Sequence, residues 1–154
     1  MTQKKTRLSD SLEDYLEIIL ALEKSNKVAR VKDIAGEMGV LRGSVSSALK
    51  KLGEKGLIKY EPYSFITLTP QGAAIAREIS RRHEVIKDFL INVLQIDPKK
   101  AETNACRMEH VMDKASIDRL VLFIKYIHSS TKISSDWIQS VANDHSKDQR
   151  DKLK

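Results

Sequence analysis

The chain is poor in the residues that build disulfide-rich, β-rich or membrane-embedded proteins. It has a single cysteine, which excludes an intramolecular disulfide framework and suits a reducing cytosol. Six glycines and three prolines among 154 residues are too few for the many turns of an all-β fold. Aromatic residues make up only 5%. Lys, Glu, Leu, Ile and Ala are plentiful instead, and that mixture favours helices. No apolar run reaches the length of a membrane-spanning helix. The opening Met-Thr-Gln-Lys-Lys-Thr-Arg is polar and lacks the apolar core of a signal peptide. The expectation is a cytoplasmic protein with no membrane partner.

What is present suffices for folding. A hydrophobic content of 41% supports a real core and argues against a disordered chain. The length allows one domain or two small ones. The formal charge of +6 permits binding to a polyanion such as DNA without requiring it.

The chemistry concentrates in Cys106-Arg107-Met108-Glu109-His110. Cys106, Glu109 and His110 stand at i, i+3 and i+4, offsets that share one face of a helix. A thiolate, a carboxylate and an imidazole converging there suit a divalent transition metal. Asp97-Pro98 starts this helix, and Glu102 lies one turn upstream on the same side. A plainer reading stands beside this one: a buried cysteine is often only a small hydrophobe, and Glu-His a solvated edge.

Taken in order, the chain begins with a helix capped by Ser9 or Ser11 and running to about Lys24. Leu12, Tyr15, Leu16, Ile19 and Leu20 form its apolar face. Asp14 and Glu17 sit three apart on one side, where acids also serve simply as caps and dipole partners. Arg30 to Met38 is a short amphipathic helix, Gly39-Val40 a turn, and Ser44 to Leu52 a second helix. Ile34, Ala35, Met38, Val40, Val45, Leu49 and Leu52 have the spacing of a helix-turn-helix core. The second helix presents Arg42, Ser44, Ser46, Ser47, Lys50 and Lys51, bases and small hydroxyls able to reach phosphates and base edges.

Gly56 to Glu61 and Phe65 to Thr69 read as two strands around a Pro62-Tyr63-Ser64 turn. Helix, turn, helix and hairpin together make a winged helix, with Lys59 and Tyr63 as phosphate contacts on the wing. A winged helix used for protein contacts is the competing reading, since fold alone does not determine function. Thr69 caps a long helix from Pro70 to about Leu94, with Pro at its first position. That helix carries His83, which by itself reads as a structural or solvated residue. Ser116 to Ile127 is a helix whose apolar width exceeds one core stripe, so part of it is expected to be a subunit interface. A last helix follows Ser134-Ser135 and uses Trp137, Ile138 and Val141. The expected organisation is mainly α. Residues 1–72 form a winged-helix DNA-binding domain with a small β-hairpin. Residues 73–145 form an all-helical metal-binding and dimerisation domain, and 146–154 a charged tail.

The order of these motifs resembles the diphtheria toxin repressor family of metal-dependent transcriptional repressors. Its short, manganese-transport-regulator-like branch is closest in size. The resemblance covers about residues 9 to 128. It is carried by Glu13-Asp14-Tyr15-Leu16-Glu17, Asp33-Ile34-Ala35, Ser44-Val45-Ser46, Gly56-Leu57-Ile58, Leu68-Thr69-Pro70-Gln71-Gly72, Arg81-Arg82-His83 and Ala105 to Met112. It implies a winged helix followed by a helical dimerisation domain, with metal favouring the DNA-binding arrangement. It implies Asp14, Glu17, His83, Cys106, Glu109 and His110 as metal ligands, and leaves Glu102 available to a second ion. Cys106 departs from the glutamate of the manganese branch, and Asp14 from the methionine of the iron branch. Lys87 and Glu102 replace a carboxylate and a histidine of the iron branch's ancillary site, and Arg42-Gly43 replaces a proline-containing start to the recognition helix.

The resemblance thus implies a homodimeric repressor of metal-uptake genes that binds double-stranded operator DNA. Hard oxygen donors favour Mn²⁺ or Fe²⁺, and the thiolate lets Zn²⁺ or Co²⁺ substitute. Metal would pin the first helix to the dimerisation half and so set the spacing of two recognition helices. A metal-independent winged-helix regulator is the alternative. An enzyme acting on a small-molecule substrate is not expected, because no nucleophile motif accompanies the ligands.

Overall fold

A computed structural model describes residues 8–26, 28–61 and 64–129. The described chain divides into two compact units, residues 1–81 and 82–154.

The first unit opens with α1 (Asp10–Asn26), whose start is held by Ser9 rather than Ser11. The amide of Leu12 points at the Ser9 hydroxyl and those of Leu12 and Glu13 at its carbonyl. The buried face of α1 is Tyr15, Leu16, Ile19, Leu20 and Leu22, the i, i+1, i+4, i+5, i+7 stripe that a core-facing helix needs. Next come α2 (Val31–Met38) and α3 (Arg42–Glu54). Gly39 ends α2 in the left-handed conformation (φ 63°), which a glycine adopts without steric cost. Ile34, Val45, Leu49 and Leu52 are fully buried against the α1 face. The helix-turn-helix core forms as its spacing implied except at Val40, which follows the Gly39 turn and stays exposed.

The wing is shorter than its sequence suggested. Strands β1 (Ile58–Lys59) and β2 (Thr67–Leu68) pair antiparallel over two residues each, Ile58 opposite Leu68 and Lys59 opposite Thr67. The ladder stops because Ile66 turns to Ala29 instead, exchanging both backbone hydrogen bonds with it (2.9 and 3.3 Å). Glu23 of α1 accepts from the Leu68 amide at 2.8 Å and so binds the wing to the first helix.

Helix α4 (Pro70–Asp88) begins as expected. Thr69 accepts from the Gly72 amide at 3.1 Å, and its hydroxyl donates to the Gly56 carbonyl at 2.8 Å. The α-helix does not run on to Leu94. After Asp88 the chain widens into a π turn over Phe89–Val93. The Leu94 amide bonds back to the Phe89 carbonyl, and Asn92 donates to the Asp88 carboxylate at 2.6 Å. One extra residue per turn re-aims the apolar side chains, so that Leu90 and Val93 are both buried.

In the second unit, α5 (Pro98–Met108) is capped by Asp97, which accepts from the amides of Lys99 and Lys100. α6 (Lys114–Ser129) starts two residues earlier than the sequence suggested, because Asp113 accepts from the Ser116 amide at 2.7 Å. Ile86, Leu90, Ala101, Ala105 and Ile117 form the core here, and Phe89 meets Phe123 edge to face at 6.3 Å. On α6 the side chains of Leu122, Phe123 and Tyr126 stay exposed. Among the described residues no helix is long and apolar enough to cross a membrane. The Trp137 helix and the 146–154 tail lie outside the described residues.

The Asp97 cap gives a first expected result. Asp97→Ala should cost about 0.5–2 kcal/mol, the usual loss for an N-cap, read as a lowered midpoint in chemical denaturation.

Candidate metal centre

Three candidate ligands meet in the second unit. Ligand atoms of His83, Cys106 and Glu109 all lie within 4.8 Å of one another. His83 comes from α4, and Cys106 from the last turn of α5. Glu109 is the C-cap of α5, still in helical conformation, with its amide bonded to the Ala105 carbonyl at 3.0 Å. The Arg82 guanidinium approaches the Glu109 carbonyl at 3.5 Å.

The electrostatics of this group are unusual. Glu109 is fully buried (0% exposed). One carboxylate oxygen lies 2.7 Å from Nδ1 of His83. The other has no hydrogen-bond partner among the described residues, although Nε2 of His110 stands 3.4 Å away outside bonding geometry. A buried carboxylate oxygen left without a partner is costly. A divalent cation removes that cost, and imidazole, thiolate and carboxylate are donors that Mn²⁺, Fe²⁺, Co²⁺ and Zn²⁺ accept. The residues present therefore fit a divalent transition metal.

Of the spaced trio Cys106, Glu109 and His110, the first two lie in the group with His83 and the third stands beside Glu109. α5 ends at Met108, and residues 109–111 form a turn in which the Met112 amide still bonds to the Met108 carbonyl at 3.0 Å. His110 is buried, whereas Cys106 is exposed. His110 contacts the Glu109 oxygen that faces away from His83 and is not part of the three-donor group. Asp14 and Glu17 lie on α1 in the first unit. Both are half-buried, and Glu17 accepts from the Ser80 hydroxyl at 3.0 Å.

Glu102 is engaged otherwise. One of its oxygens lies 3.1 Å from Nε2 of His83 and the other 2.8 Å from the Lys87 ammonium. The hydrogen bond from Lys87 holds the Glu102 carboxyl below the usual carboxylate range. The same bond raises the Lys87 ammonium above the ordinary lysine value. From the sequence, Lys87 is only a replacement for a carboxylate of the iron branch's ancillary site. Its spacing of four residues from His83 was the available signal, since such pairs share a helix face.

The candidate DNA-contact residues lie in the first unit. Arg42, Ser44, Ser47, Lys50 and Lys51 are exposed on α3, and Lys59 is exposed on β1. Ser46 is half-buried and its hydroxyl donates back to the Arg42 carbonyl at 3.1 Å, so it is less available than its sequence position implied. Tyr63 lies outside the described residues. A cavity of about 600 Å³ opens beside α3, lined by Arg30, Lys32, Arg42, Ser46, Tyr60 and Phe65 among others. Arg30 stacks over the Phe65 ring at 5.2 Å. Neither residue was singled out from the sequence. The contact joins the start of α2 to the wing, a proximity that local patterning does not reveal.

Comparison with known proteins gives concordant results. Residues 7–66 match the family model described as the iron dependent repressor N-terminal DNA binding domain. Residues 69–137 match the model described as the iron dependent repressor metal binding and dimerisation domain. An uncharacterized HTH-type transcriptional regulator of Methanocaldococcus jannaschii is 36% identical over 119 residues, covering 77% of this chain and 95% of that protein. The HTH-type transcriptional regulator MntR of Lysinibacillus sphaericus is 32% identical over 123 residues, covering 80% of this chain and 88% of that one. Among solved structures, the manganese regulator SloR superposes with a TM-score of 0.67 at 31% identity over 75% of this chain. This chain spans 54% of that solved chain.

Proposed function

Because the chain belongs to the diphtheria toxin repressor family of iron-dependent repressors, which are metal-dependent transcriptional regulators, we propose that it represses metal-uptake genes with Mn²⁺ or Fe²⁺ as co-repressor. The observation that carries this reading is the buried Glu109 carboxylate, one oxygen of which makes no hydrogen bond among the described residues, beside the donors of His83 and Cys106. His83, Cys106 and Glu109 hold the ion in this proposal. His110 joins them from beside the second Glu109 oxygen, and Asp14 and Glu17 belong to the ligand set by the sequence resemblance. The ion, when bound, supplies positive charge that turns mutual repulsion of the carboxylates into coordination.

Residues 1–72 are the DNA-binding part of this reading and 73–145 the metal-binding and dimerisation part. Arg42, Ser44, Ser47, Lys50 and Lys51 on α3 face the operator, with Lys59 on the wing. Arg30 and Lys32 add positive charge to the same face. The exposed Leu122, Phe123 and Tyr126 of α6 supply the apolar surface that a homodimer contact needs.

The test is capture of genomic fragments by the purified chain, anaerobically, with chelator or with added Mn²⁺, Fe²⁺ or Zn²⁺. A discrete set of fragments retained only with metal supports the proposal. Equal retention with chelator favours the metal-independent regulator. A second expected result concerns the recognition helix. Lys50→Ala should weaken binding to all DNA sequences alike. It should also lower the slope of log affinity against log salt by about one, the effect of one lost phosphate contact. A change confined to the preferred sequence would make Lys50 a base reader instead.

A further inference from the structure

His83 has a carboxylate against each ring nitrogen. Nδ1 faces the buried Glu109 at 2.7 Å. Nε2 faces Glu102 at 3.1 Å, and that carboxylate stands 52% exposed. A half-exposed glutamate would ordinarily sample several rotamers and spend much of its time in solvent. Here its second oxygen is held by the Lys87 ammonium at 2.8 Å. Lys87 and His83 are four residues apart on α4, and Glu102 reaches both from α5. The result is a continuous chain from Lys87 through Glu102 and His83 to Glu109.

We propose that Lys87 and Glu102 form an outer brace for His83, which removes Glu102 from the ligand set and limits the centre to one divalent ion per chain. The inference rests on the metal-centre reading given above and deepens it. An imidazole that binds metal through one nitrogen commonly donates the N–H of the other to a carboxylate, which determines both tautomer and ring orientation. Glu102 is placed for that role at Nε2, leaving Nδ1 to the buried group. Lys87 completes the brace in two ways. It neutralises Glu102, so that this carboxylate no longer needs a metal. It also puts a positive charge on the outer side of His83, where a second divalent ion would be repelled. Lys87 and Glu102 are thus positioning residues, and Lys87 sets the stoichiometry.

The experiment is anaerobic Co²⁺ binding to the full chain, by calorimetry and by equilibrium dialysis with metal analysis. Wild type should bind one Co²⁺ per chain. Glu102→Gln should keep an affinity within about threefold of wild type, because its amide oxygen still accepts from Nε2. Glu102→Met should lose about 10–100-fold, the usual effect of removing a supporting partner, with stoichiometry still one. Lys87→Arg should stay at one ion. Lys87→Glu should rise to two, because it removes the repelling charge and adds a donor beside Glu102. Equal losses in Glu102→Gln and Glu102→Met would make Glu102 a ligand and overturn the brace. Two ions in wild type, or one in a folded Lys87→Glu variant, would overturn the stoichiometric role. The thiolate-to-cobalt absorption of Cys106 reports on the inner group separately, and it should saturate at one equivalent in every variant. Failure of Glu109→Gln to weaken Co²⁺ binding would remove the centre itself and the brace with it, whatever the Lys87 variants do.

Discussion

Glu109→Gln should abolish metal-stimulated DNA binding while leaving the fold intact. The amide has the volume of the carboxylate and can still accept a hydrogen bond from His83, so packing is conserved. What is lost is the anionic donor at the centre of the three-residue group. Removing a partner that only supports a ligand costs about 10–100-fold in metal affinity. Removing this donor should cost at least about 100-fold, or about 2.8 kcal/mol. The effect on the metal-free protein runs the other way. Glu109 is buried with one oxygen lacking a hydrogen-bond partner among the described residues. A neutral amide costs less to bury than a carboxylate and can keep the His83 contact. The metal-free variant should therefore melt at or above the wild-type temperature, and added Mn²⁺ should no longer raise its midpoint. Wild-type metal affinity in Glu109→Gln would contradict the centre. A large loss of metal-free stability would mark Glu109 as a structural residue.

Gly72→Ala should have the largest effect on stability. Gly72 is buried in the first turn of α4, where the helix crosses the start of the wing. A Cβ there would fall 2.9 Å from the carbonyl carbon of Leu57 and closer still to its oxygen. That oxygen cannot simply withdraw, because it accepts from the Thr69 amide at 3.0 Å. Thr69 in turn caps α4 and bonds to the Gly56 carbonyl. Relief of the clash must therefore disturb the cap, the wing and the helix start together. Overpacking usually costs about 1–3 kcal/mol, and this substitution belongs at or above the top of that range. Chemical denaturation measures it directly. A loss below about 1 kcal/mol would mean that α4 and the wing are less tightly joined than the geometry indicates.

These two positions show what the sequence could and could not convey. Features set by neighbouring residues were legible. Thr69-Pro70 and Asp97-Pro98 mark the starts of α4 and α5 because a cap and a first-turn proline act within three residues. The helix-turn-helix core was legible for the same reason, since its periodicity is local. The wing was overextended in the sequence reading because the partner of Ile66 is Ala29, and nothing near either residue signals that pairing. The π turn after Asp88 was hidden because Phe89 to Val93 suits an α-helix equally well. The steric role of Gly72 depends on Leu57, a residue from another element.

The candidate site divides in the same way. Cys106 and Glu109 stood out through their spacing and His83 through the family resemblance, and ligand atoms of all three lie together in the structure. His110 shared that spacing and stands with Nε2 3.4 Å from the second Glu109 oxygen. The bond from Lys87 to Glu102 joins residues on two helices, so spacing within either helix could not reveal it. The same holds for Arg30 and Phe65 beside α3.

In the proposed function, metal and DNA binding are one coupled equilibrium. Coupling of that kind is reciprocal, so DNA must tighten metal binding by the factor by which metal tightens DNA binding. The direct measurement is the Mn²⁺ dissociation constant of the purified chain, free and saturated with a captured genomic fragment. Mn²⁺ should bind the DNA-bound protein more tightly, by about 5–150-fold for coupling of the usual size, with Glu109→Gln losing the difference. The same Mn²⁺ affinity with and without DNA would contradict it.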